Sequence, residues 1–505
     1  MSDKYYLTTS LPYINSQPHI GFALEIIQAD VIARWQRLQA QEVFFLTGAD
    51  EHGSKIAKVA LGAGQTPQTV AERNSMLFSE LKEILNLSTT DFIRTSDRDR
   101  HWPGAQALWR RLVKSGDIYK DSYRGLYCVG CEAFITEKEL VNGCCPIHLK
   151  EPEVVEEENY FFRLSQYAEP LIEAIKSKKF KIIPEGRATE IINVMEAGLT
   201  DISFSRPADK LPWGIPVPDD PAHTMYVWCD ALSNYITGIG FGRDEALFQK
   251  WWPADLQVIG KDILRFHAAI WPAMLLSAKL PLPKVLFVHG FITSGGHKMS
   301  KSLGNVINPA EVVDKYGADA LRYYLLKEIP TIGDGDFSWR RFAEVYNSEL
   351  ANNLGNLISR VLQMAQKFSG GQVPATAPEL SIAPSTIAAV AQQVTEFDLA
   401  KALLAIDQYF TALNVLVDEK KPWELAKTGD QAAIDTVLYQ LLEGIRIGAI
   451  LLSPFLPGTA DSIFESLGLE KLSWRPLAWE DAVQWGRLTP GQTVAAHSIL
   501  FPKFS

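Results

Sequence analysis

Tyr5-Tyr6-Leu7-Thr8-Thr9, a proline-punctuated loop from Leu11 to Pro18, an apolar-periodic run through Phe22, Ile26, Ile27, Asp30, Ile32 and Trp35, then Val43-Phe44-Phe45-Leu46-Thr47-Gly48: this opening reads as strand, loop, helix and buried strand. Strand, helix and strand of these lengths form a βαβ unit, which implies a parallel sheet. Ligands of such sheets sit at the carboxyl ends of the strands, so chemistry is expected in the loops Thr9 to Gly21 and Gly48 to Gly53.

Outward from this unit, the alternation breaks between about Asp117 and Trp213 into a Cys-rich stretch, the acidic run Val154 to Glu158 and short strands, which reads as an insertion. Strand patterns resume at Met225-Tyr226-Val227-Trp228, Leu256-Gln257-Val258-Ile259-Gly260 and Val285 to Val288, with a helix through Phe266 to Leu276. The sheet is therefore split in sequence and whole in space. After Phe337, leucines recur at helical spacing, as at Leu350, Leu354 and Leu357. A Pro-rich linker, Val373 to Pro384, follows, and Ser498-Ile499-Leu500-Phe501 reads as a closing strand. The expected division is a Rossmann-type first half over 1–116, a connective insertion over 117–217, a second half over 218–290, a connecting segment over 291–346 and a helical domain over 347–505.

Composition bounds the rest. The 505 residues are 47% hydrophobic and 21% charged, which excludes disorder as the dominant state. The net charge of −10 argues against a chain whose whole surface coats nucleic acid, while leaving room for local basic clefts. The apolar stretches Ile447 to Leu456 and His267 to Leu276 fall short of the roughly 20 residues of a membrane span, so a cytoplasmic chain is expected.

Three motifs carry chemistry. Pro18-His19-Ile20-Gly21 stands where a loop enters a helix, a place whose N–H groups and dipole attract phosphate; alone, His19 is as readily an ordinary loop histidine. Lys298-Met299-Ser300-Lys301-Ser302 follows Gly295-Gly296 and suits a mobile clamp on polyphosphate, the plainer reading being a solvated basic turn. Cys128-Val129-Gly130-Cys131 and Cys145-Pro146-Ile147-His148 are two knuckles with the spacing of a closed, structural Cys₃His zinc site, one Zn²⁺ per chain. Cys144 could replace Cys145, but only Cys145 gives the two-residue knuckle with His148.

Together, the first two motifs resemble those of class I aminoacyl-tRNA synthetases. Leu11-Pro12-Tyr13, Gly48-Ala49-Asp50-Glu51-His52-Gly53, Tyr226-Val227-Trp228-Cys229-Asp230-Ala231 and Ile259-Gly260-Lys261-Asp262 extend the resemblance to the methionyl-tRNA synthetase family over nearly the whole chain. The resemblance implies a split Rossmann-type α/β fold with a zinc-bearing insertion and a helical anticodon-binding bundle. It implies activation of L-methionine by ATP, with Mg²⁺ accompanying the nucleotide, and transfer to the 3′ end of tRNA(Met). It places Ser10, Leu11, Tyr13, Asp50, Trp228, Ala231, Leu232, Tyr235, Ile263 and His267 around methionine. His19, Gly21, Gly260, Asp262, Ile292, Lys298 and Lys301 fall to ATP, with His19, Lys298 and Lys301 catalytic. Asn352, Asn356 and Arg360, at i, i+4 and i+8 on one helix face, and Trp423, after Pro422 at a helix start, match anticodon-reading positions; spacing alone suits a solvated face and a tucked-in indole. The family usually has His where this chain has Phe22, which puts one imidazole of the phosphate site in doubt. A monomer is expected. A small-molecule adenylyltransferase, another class I synthetase and a non-catalytic tRNA-binding relative are the alternatives; the segment between the sheet halves is too short for the editing insertion of isoleucyl, valyl and leucyl enzymes.

Overall fold

The structure, a computed structural model, describes residues 3–128, 133–135, 137, 140–146, 149–299, 304–472, 478–496 and 499–503, without the side chains of 123, 124, 133, 134 and 298. Its centre is a six-stranded parallel sheet. The strands are β1 (Lys4–Thr9), β2 (Glu42–Ala49), β3 (Asp91–Arg94), β4 (Lys181–Ile183), β5 (Leu256–Gly260) and β6 (Val285–His289), in the order β3-β2-β1-β5-β6-β4. Because side chains alternate along a strand, Leu7, Phe45, Val258 and Phe287 enter one core while Tyr6, Leu46, Ile259 and Leu286 enter the core on the opposite face. Both faces are covered, which is why these strands read as continuous apolar runs. The first core contains helix α1 (Ile20–Leu38) and continues into the C-terminal helices; the second is built on Trp109, Trp271 and Phe162.

The structure revises several readings of the sequence. Tyr226 to Trp228 is not a sheet strand: Asp220–Met225 belongs to a small antiparallel sheet, and helix α2 (Val227–Leu232) starts directly after it. Four apolar residues cannot separate strand from helix, and here the helix carries the buried Asp230 to its partners His52 and His101. The acidic run lies within a ten-residue strand, Glu153–Phe162, paired with Ile118–Cys128; Glu156 and Glu158 face solvent, while Glu157 turns inward to pair with Arg206. Residues 181–183, from inside the expected insertion, join the main sheet beside β6, so three chain segments build it. Residues 499–501 form no strand, although Phe501 is buried.

Beyond the sheet, helix α3 (Ala318–Lys327) leads to α4 (Asn356–Ser369), α5 (Leu399–Lys420) and α6 (Gln431–Leu452). Residues 399–428, spanning α5 and the short helix after it, are long and apolar enough to cross a membrane by composition. In α5, however, Leu399, Leu403, Ile406, Phe410, Leu413 and Val417 are buried, the pattern of a bundle helix with one solvated side.

Candidate active site and RNA-binding face

At the carboxyl ends of β1, β5 and β6 lies a cavity of about 470 Å³. All ten residues matched to methionine, Ser10 through His267, line it, together with His19, Gly21, Gly260, Asp262 and Ile292 from the nucleotide set. His19 is the N-cap of α1, its Nδ1 accepting the Gly21 N–H at 3.1 Å, so the ring proton sits on Nε2. A Cβ at Gly21 would meet the His19 ring at 2.9 Å, so glycine is needed for this arrangement. Phe22 packs edge-on against Phe78, ring centres 5.4 Å apart, and both line the cavity.

Met299 reaches the same cavity, its methyl 3.8 Å from where a Gly21 Cβ would lie, and the Ile20 N–H donates to the Ile307 carbonyl. The start of the second motif thus meets the first. Gly295 and Gly296, at φ +63° and +77°, turn a hairpin that pairs Thr293 with Lys298. The Lys298 side chain and the whole of Lys301 lie outside the described residues.

On the amino-acid side, the Trp228 and Phe266 rings stack at 3.5 Å. The Tyr235 hydroxyl lies 2.7 Å from His267 Nε2, and His267 Nδ1 lies 3.0 Å from the Ile263 carbonyl. Since a carbonyl only accepts, Nδ1 carries the proton and Tyr235 donates to Nε2. Burial pushes the His267 pKa down to about 4, so the ring stays neutral. His267 sits in a single π-helical turn, Phe266–Ile270, which the apolar spacing did not announce. The loop carrying Asp50 is held from behind: buried Asp230 receives His52 Nδ1 at 2.6 Å and His101 Nε2 at 2.7 Å. Burial opposes its charge, but the two imidazoles keep the Asp230 carboxyl below its ordinary range. The neighbouring Cys229 thiol is raised well above its usual pKa, chiefly by burial, and is inert.

Sequence reasoning missed Glu25, His289, Lys55 and Phe78 at this cavity. Two signals were present: Glu25 interrupts the apolar run Phe22 to Ile27, and His289-Gly290 stands at the carboxyl end of a strand, where ligands of such sheets bind.

Further along the chain, Asn352 and Asn356 are exposed and Arg360 half-buried. Arg360 lies over the Trp423 ring at 5.3 Å and pairs with Asp418 at 2.7 Å, joining two separate helices. Trp423 packs partly into the core. Asn352 lies within a ten-residue π-helical stretch, Tyr346–Gly355, that precedes α4, so the regular i, i+4 face begins only at Asn356.

Of the four zinc candidates, Cys131 and His148 lie outside the described residues. Cys128 and Cys145 are both buried, Cys128 at a strand end and Cys145 in a turn where its N–H donates to the Lys150 carbonyl and its carbonyl accepts from Leu149. Cys144 is only half-buried, its backbone bridged to Val141. Two buried thiols, one closing a strand and one in a turn, fit a thiolate-rich metal site.

A parallel sheet with its ligand cavity at the strand ends, a loop clamp approaching a capped helix, and a helical bundle behind define a class I aminoacyl-tRNA synthetase. The family model for class I tRNA synthetases of the methionine type matches residues 5–151 and 136–362, and that for the anticodon-binding domain of methionyl-tRNA ligase matches 370–505. The methionine–tRNA ligase of Thermotoga maritima is 41% identical over 99% of this chain and 80% of its own length; that of Streptomyces coelicolor is 40% identical over 99% and 96%. A Mycobacterium tuberculosis methionyl-tRNA synthetase solved with methionyl-adenylate superposes with a TM-score of 0.92 at 41% identity, covering 99% of both chains; the free form gives 0.85 at 38% identity, covering 99% and 98%. The chain belongs to the methionyl-tRNA synthetase family.

Proposed function

We propose that this chain activates L-methionine with ATP, releasing pyrophosphate, and transfers the methionyl group from the adenylate to the terminal ribose of tRNA(Met). The observation that carries the reading is one cavity that gathers both motifs and an apolar, aromatic slot. The methionine carboxylate is itself the nucleophile at the α-phosphorus, so no covalent enzyme intermediate is required and the protein's task is positioning and charge stabilisation. Asp50 would pair with the α-ammonium. Leu11, Tyr13, Trp228, Ala231, Leu232, Tyr235, Ile263 and the neutral His267 would enclose the thioether, which favours contact with rings, while Ser10 would complete the edge of the slot. His19 and Gly21 would receive the phosphates; Gly260, Asp262 and Ile292 would face the nucleoside; Lys298 and Lys301 would close on the departing pyrophosphate. Mg²⁺ enters with ATP as its counter-ion.

Asn352, Asn356, Arg360 and Trp423 would read the anticodon, bases stacking on the indole and hydrogen-bonding to the polar side chains. Cys128, Cys131, Cys145 and His148 would hold one structural Zn²⁺, which ties the ends of the insertion's turns together when bound. The finer division at 116, 217, 290 and 346, a monomeric state and a cytoplasmic location belong to the same reading. Amino-acid-dependent exchange of pyrophosphate into ATP tests it: methionine alone among the twenty should support exchange, and tRNA(Met) should then be charged. Exchange with another amino acid, or none with methionine, overturns it.

A further inference from the structure

Glu25 lies on α1 with its carboxylate buried at 4% exposure, and His289 closes β6 at 6% exposure. Glu25 Oε1 accepts from the Ser10 N–H at 2.8 Å and the Ser10 hydroxyl at 2.6 Å, while Oε2 lies 2.9 Å from His289 Nε2. His289 Nδ1 faces the Gly290 carbonyl at 2.7 Å. Both ring nitrogens thus face acceptors, and an imidazole satisfies two acceptors only as the imidazolium. In the sheet order, β5 lies between β1 and β6, so one carboxylate spans the ends of three strands. At Gly260, the end of β5, a Cβ would meet Asp262 Oδ1 at 2.9 Å and the His289 ring at an ordinary 3.7 Å, so glycine there makes room for the Asp262 carboxylate beside the pair.

We propose that Glu25 and His289 form a positioning pair for methionine activation, an ionic clamp that fixes the Ser10 loop of the amino-acid slot against the His289-Gly290 loop of the nucleotide half. The inference rests on the proposed function above. Neither group has a hydrogen to spare for substrate, so the pair acts through the loops it joins. The charged groups facing His289 are Glu25 from α1 and Asp262 from the loop after β5, both anionic; His19 and His267 line the same cavity. Although burial opposes protonation, these carboxylates and the Gly290 carbonyl raise the His289 pKa above its usual value. The clamp is therefore held below that raised value and is lost as pH rises through it.

The test is methionine-dependent pyrophosphate exchange by wild type, Glu25→Gln, His289→Gln and the double variant between pH 6 and 9, with circular dichroism melting for each. Glu25→Gln keeps the shape and removes the charge, so it should lower kcat tenfold or more at pH 8, leave both KM values within threefold, and move the alkaline limb down by one pH unit or more. The double variant should be no slower than the slower single variant, as expected when two groups act as one unit. Exchange within twofold of wild type across the range overturns the proposal, as does a loss that only tracks melting, with additive variants and an unmoved alkaline limb. Failure of wild type itself to exchange with methionine instead overturns the functional reading beneath it.

Discussion

Replacing Asp230 by Asn should raise the KM for methionine about tenfold while leaving ATP affinity near that of wild type. Asp230 is fully buried and takes two imidazole N–H groups, at 2.6 and 2.7 Å. Charge-assisted hydrogen bonds contribute roughly 1.5–3 kcal/mol each and neutral ones about 1 kcal/mol. An amide can keep both contacts, because His101 can move its proton to Nδ1 and donate to Thr237 Oγ1, 2.7 Å away. The exchange of two charged bonds for two neutral ones then costs about 2 kcal/mol. His52 adjoins the Asp50 loop and Asp230 belongs to α2, beside Trp228, so that cost falls on the two elements forming the methionine slot. With tenfold in affinity for each 1.4 kcal/mol, a tenfold or greater rise in KM follows even if part of the cost is absorbed as lower stability. The assay is pyrophosphate exchange with methionine and ATP varied in turn, alongside thermal melting. The pH dependence has a fixed sign. The native carboxyl lies below its ordinary value, so its stabilisation is present above about pH 4 and lost as pH falls through the native value. The melting gap between wild type and the Asp230→Asn variant should therefore hold above about pH 4 and narrow as pH falls below it. An unchanged KM with a lower melting temperature would refute the argument, since the network would then stabilise the core without shaping the slot.

Burial pushes the Asp407 carboxyl up to about 6 against the pull of Lys327, so its protonation stabilises the native state below about pH 4 and that stability, about 3 kcal/mol, is lost as pH rises through 6. Asp407→Asn should flatten the fall in melting temperature between pH 5 and 7, which a fluorimetric pH series measures. Trp423→Ala should lower kcat/KM for aminoacylation by tenfold to a hundredfold, about 1–3 kcal/mol of lost stacking, with pyrophosphate exchange unchanged; a fall in both reactions would mean the indole only holds the bundle together. Cys145→Ser should abolish the zinc found by elemental analysis, whereas Cys144→Ser should retain one ion per chain; equal losses would remove the preference for Cys145.

The main sheet was legible wherever its strands were buried on both faces, as Tyr5 to Thr9 and Leu256 to Gly260 show. Lys181–Ile183 was not, because an edge strand of three residues in a lysine-rich surround carries no periodic signal. The cavity-lining residues matched to methionine were named from flanking motifs. The groups that hold them, Glu25, His289 and the histidines around Asp230, are single polar residues whose partners lie 129 to 264 positions away. No local pattern reports such pairs, since each is satisfied only when the sheet closes. The π-helical turns at 266–270 and 346–355 were invisible for a related reason: one extra residue per turn shifts the apolar stripe by less than the stripe's own width.

Helix α3 shows how the two distant faces keep a common frame. Arg322 is fully buried and ion-pairs with Asp30 of α1 at 2.8 Å, while also donating to the carbonyls of Leu85, Pro454 and Phe455. Although burial opposes its charge, Asp30 is drawn down to about 2 by Arg34 and Arg322, so this pair remains ionised at any working pH. One residue on, the Tyr323 hydroxyl donates to Glu349 and Asp407, and Lys327 binds the same two carboxylates. Glu349 lies in the π-helical stretch with Asn352, and Asp407 lies on α5. A single ten-residue helix therefore carries, through Arg322, an ionic tie to the helix capped by His19 and, through Lys327, another to the π-helical stretch and α5. The first tie is anchored by a guanidinium whose loss would leave the carbonyls of Leu85, Pro454 and Phe455 without their donor and Asp30 with Arg34 as its cation. The second contains a carboxyl that titrates near pH 6. The two ties therefore answer pH differently: the first keeps its charges, while the second gains a carboxylate charge as pH rises through about 6.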